Sequence, residues 1–112
     1  MEQKELVSLS GAVAVVTGGG RGIGHAIATE LAEMNAAVVI TGRDEAHVQQ
    51  VAHDLAAQGH RCEGIGCDVT DLASVEALGK RLRRDYGRVE ILVNNAGIAG
   101  PPGVLHEMAP ED

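Results

Sequence analysis

Aromatic side chains are almost absent from this sequence. Its 112 residues include neither Phe nor Trp, and Tyr86 is the single aromatic residue. A core must therefore be packed from Ala, Val, Ile and Leu, which suit helices that lie closely on a sheet. Proteins that bind single-stranded nucleic acids commonly stack the bases on aromatic rings. Since the chain has one such ring and its formal net charge is −7, the composition argues against a nucleic-acid partner.

Long apolar runs are missing as well. The longest aliphatic stretches, residues 12–16 and 36–40, are each too short to span a bilayer. Residues 1–5 carry charges of both signs, and the apolar segment typical of a signal peptide does not follow them. These absences predict a cytoplasmic protein without a membrane partner.

Cysteine is scarce and is not arranged as a site. Cys62 and Cys67 are five residues apart and form no Cys-x-x-Cys pair. On a strand, an odd separation places two side chains on opposite faces, so these thiols cannot share a metal ion or a disulfide. We expect two reduced thiols without a redox role. The five histidines also lack metal-ligand spacing, so no metal site is predicted.

Short aliphatic runs alternate with longer segments of helical periodicity. Most of the runs are apolar on both faces, as a parallel sheet covered by helices on both sides requires. The order β-α-β-α-β-α-β predicts an α/β protein with a doubly wound parallel sheet, which forms one domain over residues 1–112. The predicted strands are residues 12–16, 37–41, 61–67 and 90–93.

The three helical segments between these runs carry apolar residues at positions i, i+3, i+4 and i+7. Asp44 and Asp71 are placed to cap the second and third helices, and Gly59 and Gly87 are placed to end them. Residues 97–112 are rich in Gly and Pro, which predicts a loop that leads into a further helix.

A glycine-rich segment, TGGGRGIG at residues 17–24, follows the first predicted strand and opens the first predicted helix. Glycines permit the sharp turn between strand and helix and let the backbone approach a pyrophosphate, whose charge then lies at the helix N-terminus. The Gly-Lys-Ser/Thr of a P-loop does not follow. In this strand–turn–helix context the segment predicts a dinucleotide-binding loop rather than a merely structural turn.

The spacing Thr-Gly-x-x-x-Gly-Ile-Gly resembles that of the short-chain dehydrogenase/reductase family. Two further family motifs follow in order, CDVTD at residues 67–71 and NNAG at residues 94–97. The sequence is most similar to the classical branches of 3-oxoacyl-carrier-protein reductases and of sugar or alcohol dehydrogenases. The resemblance covers the whole chain but only the N-terminal half of a family member. It implies part of a Rossmann-type fold, with four strands in the order 3-2-1-4 and three helices.

The end of the second predicted strand distinguishes NAD from NADP. An NAD site places an acid there for the ribose 2′-hydroxyl, whereas this strand ends in Thr41, Gly42 and Arg43. Arg21 in the glycine loop could approach the same ribose, and by the resemblance NADP-preferring members often carry bases at these two places. Asp44 is the alternative NAD acid, although capping explains it better. We therefore predict that NADP(H) is preferred over NAD(H).

The resemblance also implies roles for single residues. The glycine loop would line the cofactor diphosphate, Asp68 and Val69 would meet the adenine, Asn95 would pass beside the ribose, and Asn94 would brace the sheet. Read without the resemblance, Asp68 and the two asparagines are equally compatible with ordinary loop and turn positions. The candidate cofactor-binding residues are Gly18, Gly20, Arg21, Gly22, Ile23, Gly24, Arg43, Asp68, Val69, Asn95, Ala96 and Gly97.

No catalytic residue is assigned. By the resemblance, the family moves the proton of the substrate oxygen with a Tyr whose pKa is lowered by a Lys four residues later, assisted by a Ser. Tyr86 is instead followed at i+4 by Glu90, which we expect to raise its pKa. It also precedes the fourth predicted strand, at the edge of the sheet opposite the cofactor. The chain by itself is therefore expected to be inactive.

Three interpretations remain open. The chain could be the cofactor-binding part of an oxidoreductase that interconverts a secondary alcohol and a carbonyl compound, with a homo-oligomeric full-length form. It could be a stand-alone module that binds or senses a dinucleotide without catalysis. It could also be a half-domain that folds only when the apolar edge of its fourth strand pairs with another chain. The first is favoured, because residues 107–112 read as the start of a helix.

Overall fold

Strands and helices alternate along residues 8–95, the part of the chain that the structure, a computed structural model, describes. Each observed strand begins and ends within one residue of its predicted position, and a helix fills each of the three intervals. The helix predicted beyond residue 97 lies outside the described residues. The elements are β1 (Val13–Thr17), α1 (Gly22–Glu33), β2 (Ala37–Gly42), α2 (Glu45–Ala57), β3 (Cys62–Gly66), α3 (Leu72–Asp85) and β4 (Ile91–Asn94).

The four strands form one parallel sheet in the order β3-β2-β1-β4. Val15 at the centre of β1 lies between Val39 of β2 and Leu92 of β4. This order confirms the predicted arrangement. Since β4 pairs only with β1 among the described residues, its side chains are less buried than those of the inner strands, and Leu92 keeps 37% of its surface exposed.

Both faces of the sheet are covered, so the sheet is doubly wound as expected. Alternate side chains of a strand point to opposite faces. Those of β1 and β2 accordingly divide between a cluster with α1 and α2 and a cluster with α3. The first cluster contains Ala14, Val16, Ala28, Ala32, Ala36, Val38, Ile40, Val48 and Ala52. The second contains Val15, Val39, Ile65, Cys67, Val69, Val75, Leu78 and Leu82.

The helix ends follow the sequence signals. Asp44 accepts a hydrogen bond from the His47 N–H at 3.1 Å, and Asp71 accepts one from the Ala73 N–H at 3.0 Å. Each carboxylate thereby satisfies an N–H group that the first turn of a helix leaves unpaired. Both predicted N-caps are confirmed.

The two cysteines lie on opposite faces of the sheet, as their spacing predicts. Cys62 packs beside the α1–α2 cluster and Cys67 is buried in the α3 cluster. Both thiols are free. Burial raises the pKa of the Cys62 thiol to about 11 and also raises the pKa of Cys67. Both therefore stay protonated, and weakly nucleophilic, near neutral pH.

Tyr86 differs from expectation in its partner. Its hydroxyl donates to a carboxylate oxygen of Glu63 at 2.6 Å. Burial and this hydrogen bond raise the pKa of Tyr86, so the predicted direction is right. The predicted cause is wrong, because Glu90 instead accepts a hydrogen bond from the Val13 N–H at 2.7 Å and pairs with Arg88.

Within residues 8–95, no helix combines the length and the apolar character that a bilayer crossing needs.

Candidate functional site

A cleft of about 470 Å³ opens at the carboxyl ends of the strands. Ligands of open α/β sheets bind at this edge, at the point where successive strands begin to be added on the other side of the first strand. Here the chain passes from β1 outward to β3 and then returns to β4 on the other side of β1. The wall consists of Gly18, Gly20, Arg21, Thr41, Gly42, Arg43, Asp44, His47, Val48, Cys67, Val69 and Asn95.

The glycine loop makes a sharp turn between β1 and α1. Gly18 has a φ of +67°, in the left-handed region that residues with a side chain rarely adopt. Its N–H donates to the Thr41 carbonyl oxygen at 2.8 Å. The start of the loop is therefore fixed to the end of β2.

The start of α1 lies in close contact with this loop. A Cβ atom on Gly24 would lie 2.3 Å from the Gly18 carbonyl oxygen and 2.4 Å from Asn95 Nδ2. Asn95 Nδ2 donates to the same carbonyl oxygen at 3.3 Å, and the Asn95 N–H donates to the Thr17 hydroxyl at 2.9 Å. The Thr17 hydroxyl is also 3.3 Å from Asn94 Oδ1. The glycine motif and the Asn-Asn motif are thus joined directly.

The N-terminus of α1 has no side-chain cap. Arg21 occupies the N-cap position with extended backbone and makes no capping hydrogen bond, and the first turn contains no acidic residue. Free N–H groups and the helix dipole favour an anion at such an end. This end of α1, with the glycine loop before it, can therefore accept a phosphate group.

Arg43 follows β2 and is largely exposed. Its Nε lies 3.6 Å from Asp68 Oδ1. The side chain and N–H of Thr70 donate to Asp68, and together with Arg43 they hold the pKa of that carboxyl below its usual range. An exposed ion pair of this kind contributes little free energy. The guanidinium can therefore exchange Asp68 for a more strongly charged ligand.

The end of β2 presents a hydroxyl instead of an acid. Thr41 is 1% exposed, and its Oγ1 has no hydrogen-bond partner among residues 8–95. A buried polar atom without a partner is unfavourable, so a ligand atom in the cleft that bonds to it would be stabilised. Asp44 lies nearby in the wall, but its carboxylate already caps α2.

His47 is the residue of the wall that the sequence pattern did not single out. Its Nε2 lies 3.1 Å from the Gly20 carbonyl oxygen and 3.4 Å from Arg21 Nε. Sequence reasoning could have found His47 from its position three residues after the Asp44 cap. That position lies in the first turn of α2, which adjoins the carboxyl edge of the sheet. Val48 and Cys67 supply the apolar part of the wall.

The predicted site residues divide into three groups. Those that line the cleft are Gly18, Gly20, Arg21, Arg43, Val69 and Asn95. Those that flank the cleft are Gly22, Ile23, Gly24 and Asp68. Ile23 has 72% of its surface exposed. Ala96 and Gly97 lie outside the described residues. Within the described range, no three His, Cys, Asp or Glu side chains are grouped to hold a metal ion.

The sheet order and the cleft beyond its carboxyl edge define a Rossmann-type α/β protein. Residues 12–112 match the family model described as short chain dehydrogenase, so the chain belongs to the short-chain dehydrogenase family of oxidoreductases.

Several known proteins are similar to this chain. It is 49% identical over 96 residues to cis-4-hydroxycyclohexanecarboxylate dehydrogenase of Sinomonas cyclohexanicum, covering 86% of this chain and 38% of that enzyme. It is 44% identical over 92 residues to the 3-oxoacyl-[acyl-carrier-protein] reductase FabG of Escherichia coli, covering 82% of this chain and 36% of the reductase. The chain thus spans little more than a third of these relatives.

A solved structure shows the same architecture. The Pseudomonas aeruginosa RhlG/NADP active-site complex superposes with a TM-score of 0.78 at 40% sequence identity. The match covers 87% of this chain and 38% of that one. The partial Rossmann fold predicted from the sequence is confirmed.

Proposed function

We propose that this chain is the cofactor-binding part of an NADP(H)-dependent oxidoreductase that interconverts a secondary alcohol and a carbonyl compound. The observation that carries the proposal is the presence of two guanidinium groups, Arg21 and Arg43, on the wall of a cleft that also contains the glycine loop. When bound, the nicotinamide supplies the hydride acceptor or donor. The residues of this chain bind and orient the cofactor. Its cellular location is cytoplasmic, and the full-length enzyme is a homo-oligomer.

The elements of the cleft suit successive parts of a dinucleotide. Gly18 and Gly20, with the uncapped end of α1, would hold the diphosphate through backbone N–H groups. Val69 would provide an apolar contact for the adenine, and Asn95 would lie beside the ribose. Asp68, which pairs with Arg43, would meet the adenine together with Val69. These assignments follow the family motifs on which the cleft is built.

The preference for the 2′-phosphate rests on the end of β2. Asp44 is engaged as a helix cap, so no acid at this strand end is free to bind a ribose 2′-hydroxyl. Arg43 has only a weak exposed ion pair to exchange. A charged hydrogen bond to phosphate contributes about 1.5–3 kcal/mol. The same arginine gains nothing comparable from a 2′-hydroxyl.

The test is a calorimetric titration of the protein with NADPH and with NADH. We expect tighter binding of NADPH, and we expect Arg43→Ala to weaken NADPH binding by about 10- to 150-fold with little change for NADH. Arg83→Ala is the matched control, because Arg83 lies in the last turn of α3, at the opposite edge of the sheet. Equal affinities for the two cofactors in the unmodified protein would refute the NADP(H) preference.

A second candidate is a stand-alone module that binds a dinucleotide without catalysis. These 112 residues contain one tyrosine, Tyr86, and Glu90 stands four residues after it, so they include no Tyr-x-x-x-Lys pair of the kind that the family uses for proton transfer. The two proposals agree on the cofactor and differ in the length of the native protein. We therefore propose that these 112 residues alone are catalytically inactive.

A further inference from the structure

The imidazole of His47 bridges α2 and the glycine loop at the wall of the cleft. Its Nε2 lies 3.1 Å from the Gly20 carbonyl oxygen and 3.4 Å from Arg21 Nε. The main chain of His47 is fixed because its N–H donates to the Asp44 carboxylate. A first-turn residue of α2 is thus placed against the loop that precedes α1.

The ring is also held by packing. A Cβ atom on Gly20 would lie 2.9 Å from His47 Cδ2 and 3.1 Å from Nε2. The imidazole therefore lies directly on the backbone of the loop, in space that only a glycine leaves open. The position of the ring is set by this contact as well as by the hydrogen bond of Nε2.

The two polar neighbours of Nε2 require opposite hydrogen-bonding roles of this atom. A carbonyl oxygen only accepts hydrogen bonds and a guanidinium only donates them. Nε2 can therefore donate to Gly20 when it carries a hydrogen, or accept from Arg21 when it does not, but not both at once. Accepting from Nε leaves the two terminal amino groups of the arginine for another acceptor.

We propose that His47 is a positioning residue that orients Arg21 toward the 2′-phosphate of the cofactor, an inference that rests on the proposed function. Arg21 is exposed and its side chain has many rotamers, so ordering it on binding costs free energy. In the tautomer whose Nε2 accepts from Arg21 Nε, this hydrogen bond restricts those rotamers before the cofactor arrives, and such preorganisation raises affinity. His47 thus contributes to the choice between NADPH and NADH without contacting the phosphate.

The experiment measures dissociation constants for NADPH and NADH on the protein at its native length. His47→Phe keeps an aromatic ring against Gly20 but removes the nitrogen acceptor, and His47→Gln restores an acceptor. We expect His47→Phe to weaken NADPH binding about fivefold, the effect of one hydrogen bond, with NADH nearly unchanged. We expect His47→Gln to recover most of the preference. His47→Ala serves the same comparison if the Phe variant does not fold.

A double-mutant cycle with Arg21→Ala identifies the route of the effect. If His47 acts through Arg21, His47→Phe has no further effect on the NADPH-to-NADH ratio once Arg21 is replaced. An undiminished effect in the Arg21→Ala background overturns the inference, as does equal weakening of both cofactors by His47→Phe. Absence of an NADPH preference in the unmodified protein refutes the NADP(H) preference on which the proposed function rests. If the unmodified protein prefers NADPH and the His47 variants keep the full preference, the inference about His47 is refuted and the proposed function stands.

Discussion

A single added methyl group would have opposite effects at two glycines of this chain. At Gly24 it would lie 2.3 Å from the Gly18 carbonyl oxygen, whereas at Gly79 its nearest neighbour would be a flexible side-chain atom of Arg83 at 3.9 Å. The first position requires a glycine because two backbone segments meet there. The second lies in the interior of α3, where glycine only lowers helix propensity.

We therefore expect Gly24→Ala to lower the free energy of unfolding by about 1–3 kcal/mol and to weaken both NADPH and NADH. Gly79→Ala, the matched control, should raise the free energy of unfolding by about 0.5–1 kcal/mol. Urea unfolding followed by circular dichroism measures both changes. Stabilisation by Gly24→Ala would show that the loop and α1 are not in the contact described above.

The ionisation of Tyr86 can be followed without interference from other tyrosines, because it is the single tyrosine of the chain. Burial and the hydrogen bond to Glu63 raise its pKa in the folded chain. Because the folded pKa exceeds the unfolded value of about 10, this contribution to stability is fully present below pH 10. It is lost as the pH rises through the folded pKa.

Ultraviolet absorbance of the phenolate should therefore show no ionisation of Tyr86 at about pH 10 in the folded chain. Replacing Glu63 with Gln removes the carboxylate that disfavours the phenolate, so ionisation should move to lower pH. A normal tyrosine titration in the folded, unmodified chain would contradict the described contact between Tyr86 and Glu63.

At the scale of the elements, the two capped helices and α1 differ in what their N-termini can do. α2 and α3 satisfy first-turn N–H groups with Asp44 and Asp71. α1 begins at the glycine loop without a side-chain cap, so among the three helices of residues 8–95 it is the one whose N-terminus is open to a phosphate. An aspartate at the N-cap thus distinguishes α2 and α3 from α1, whose N-terminus is the candidate phosphate-binding end.

The assignment of Asp44 as a cap gives a stability prediction. Asp44→Ala should lower the free energy of unfolding by about 1 kcal/mol, whereas Asp44→Asn should be close to the unmodified chain, since Asn caps helices as well as Asp. Urea unfolding of both variants measures the difference. Equal destabilisation by Ala and Asn would mean that the charge of Asp44, and not its cap, is what the fold uses.

At the scale of the whole molecule, the length of the native protein separates the two candidate functions. The chain spans 36–38% of the two relatives described above. We expect intact-mass measurement of the protein from its source to give a value well above the 11.6 kDa of these 112 residues. The added sequence should contain Ser and Tyr-x-x-x-Lys. A native mass of 11.6 kDa would instead support the stand-alone module.

Much of this architecture is encoded locally. Apolar runs and helical periodicity located every strand to within one residue, and Asp44 and Asp71 marked two helix starts, because these signals act between residues a few positions apart. The glycine loop was recognisable for the same reason. Its turn and the helix that follows it are set by consecutive residues, and the family motifs after β3 and β4 then indicated the same edge of the sheet.

The partners of His47, Tyr86 and Thr41 required the tertiary structure. His47 meets a loop 27 positions earlier, and Tyr86 meets Glu63 at a separation of 23. The hydroxyl of Thr41 has no hydrogen-bond partner within residues 8–95, which is visible only once its surroundings are known. The sequence by itself thus determined the elements, their alternation and the phosphate loop. The tertiary structure decided which distant side chains face each other, because that depends on strand order, register and the way the helices pack on the sheet.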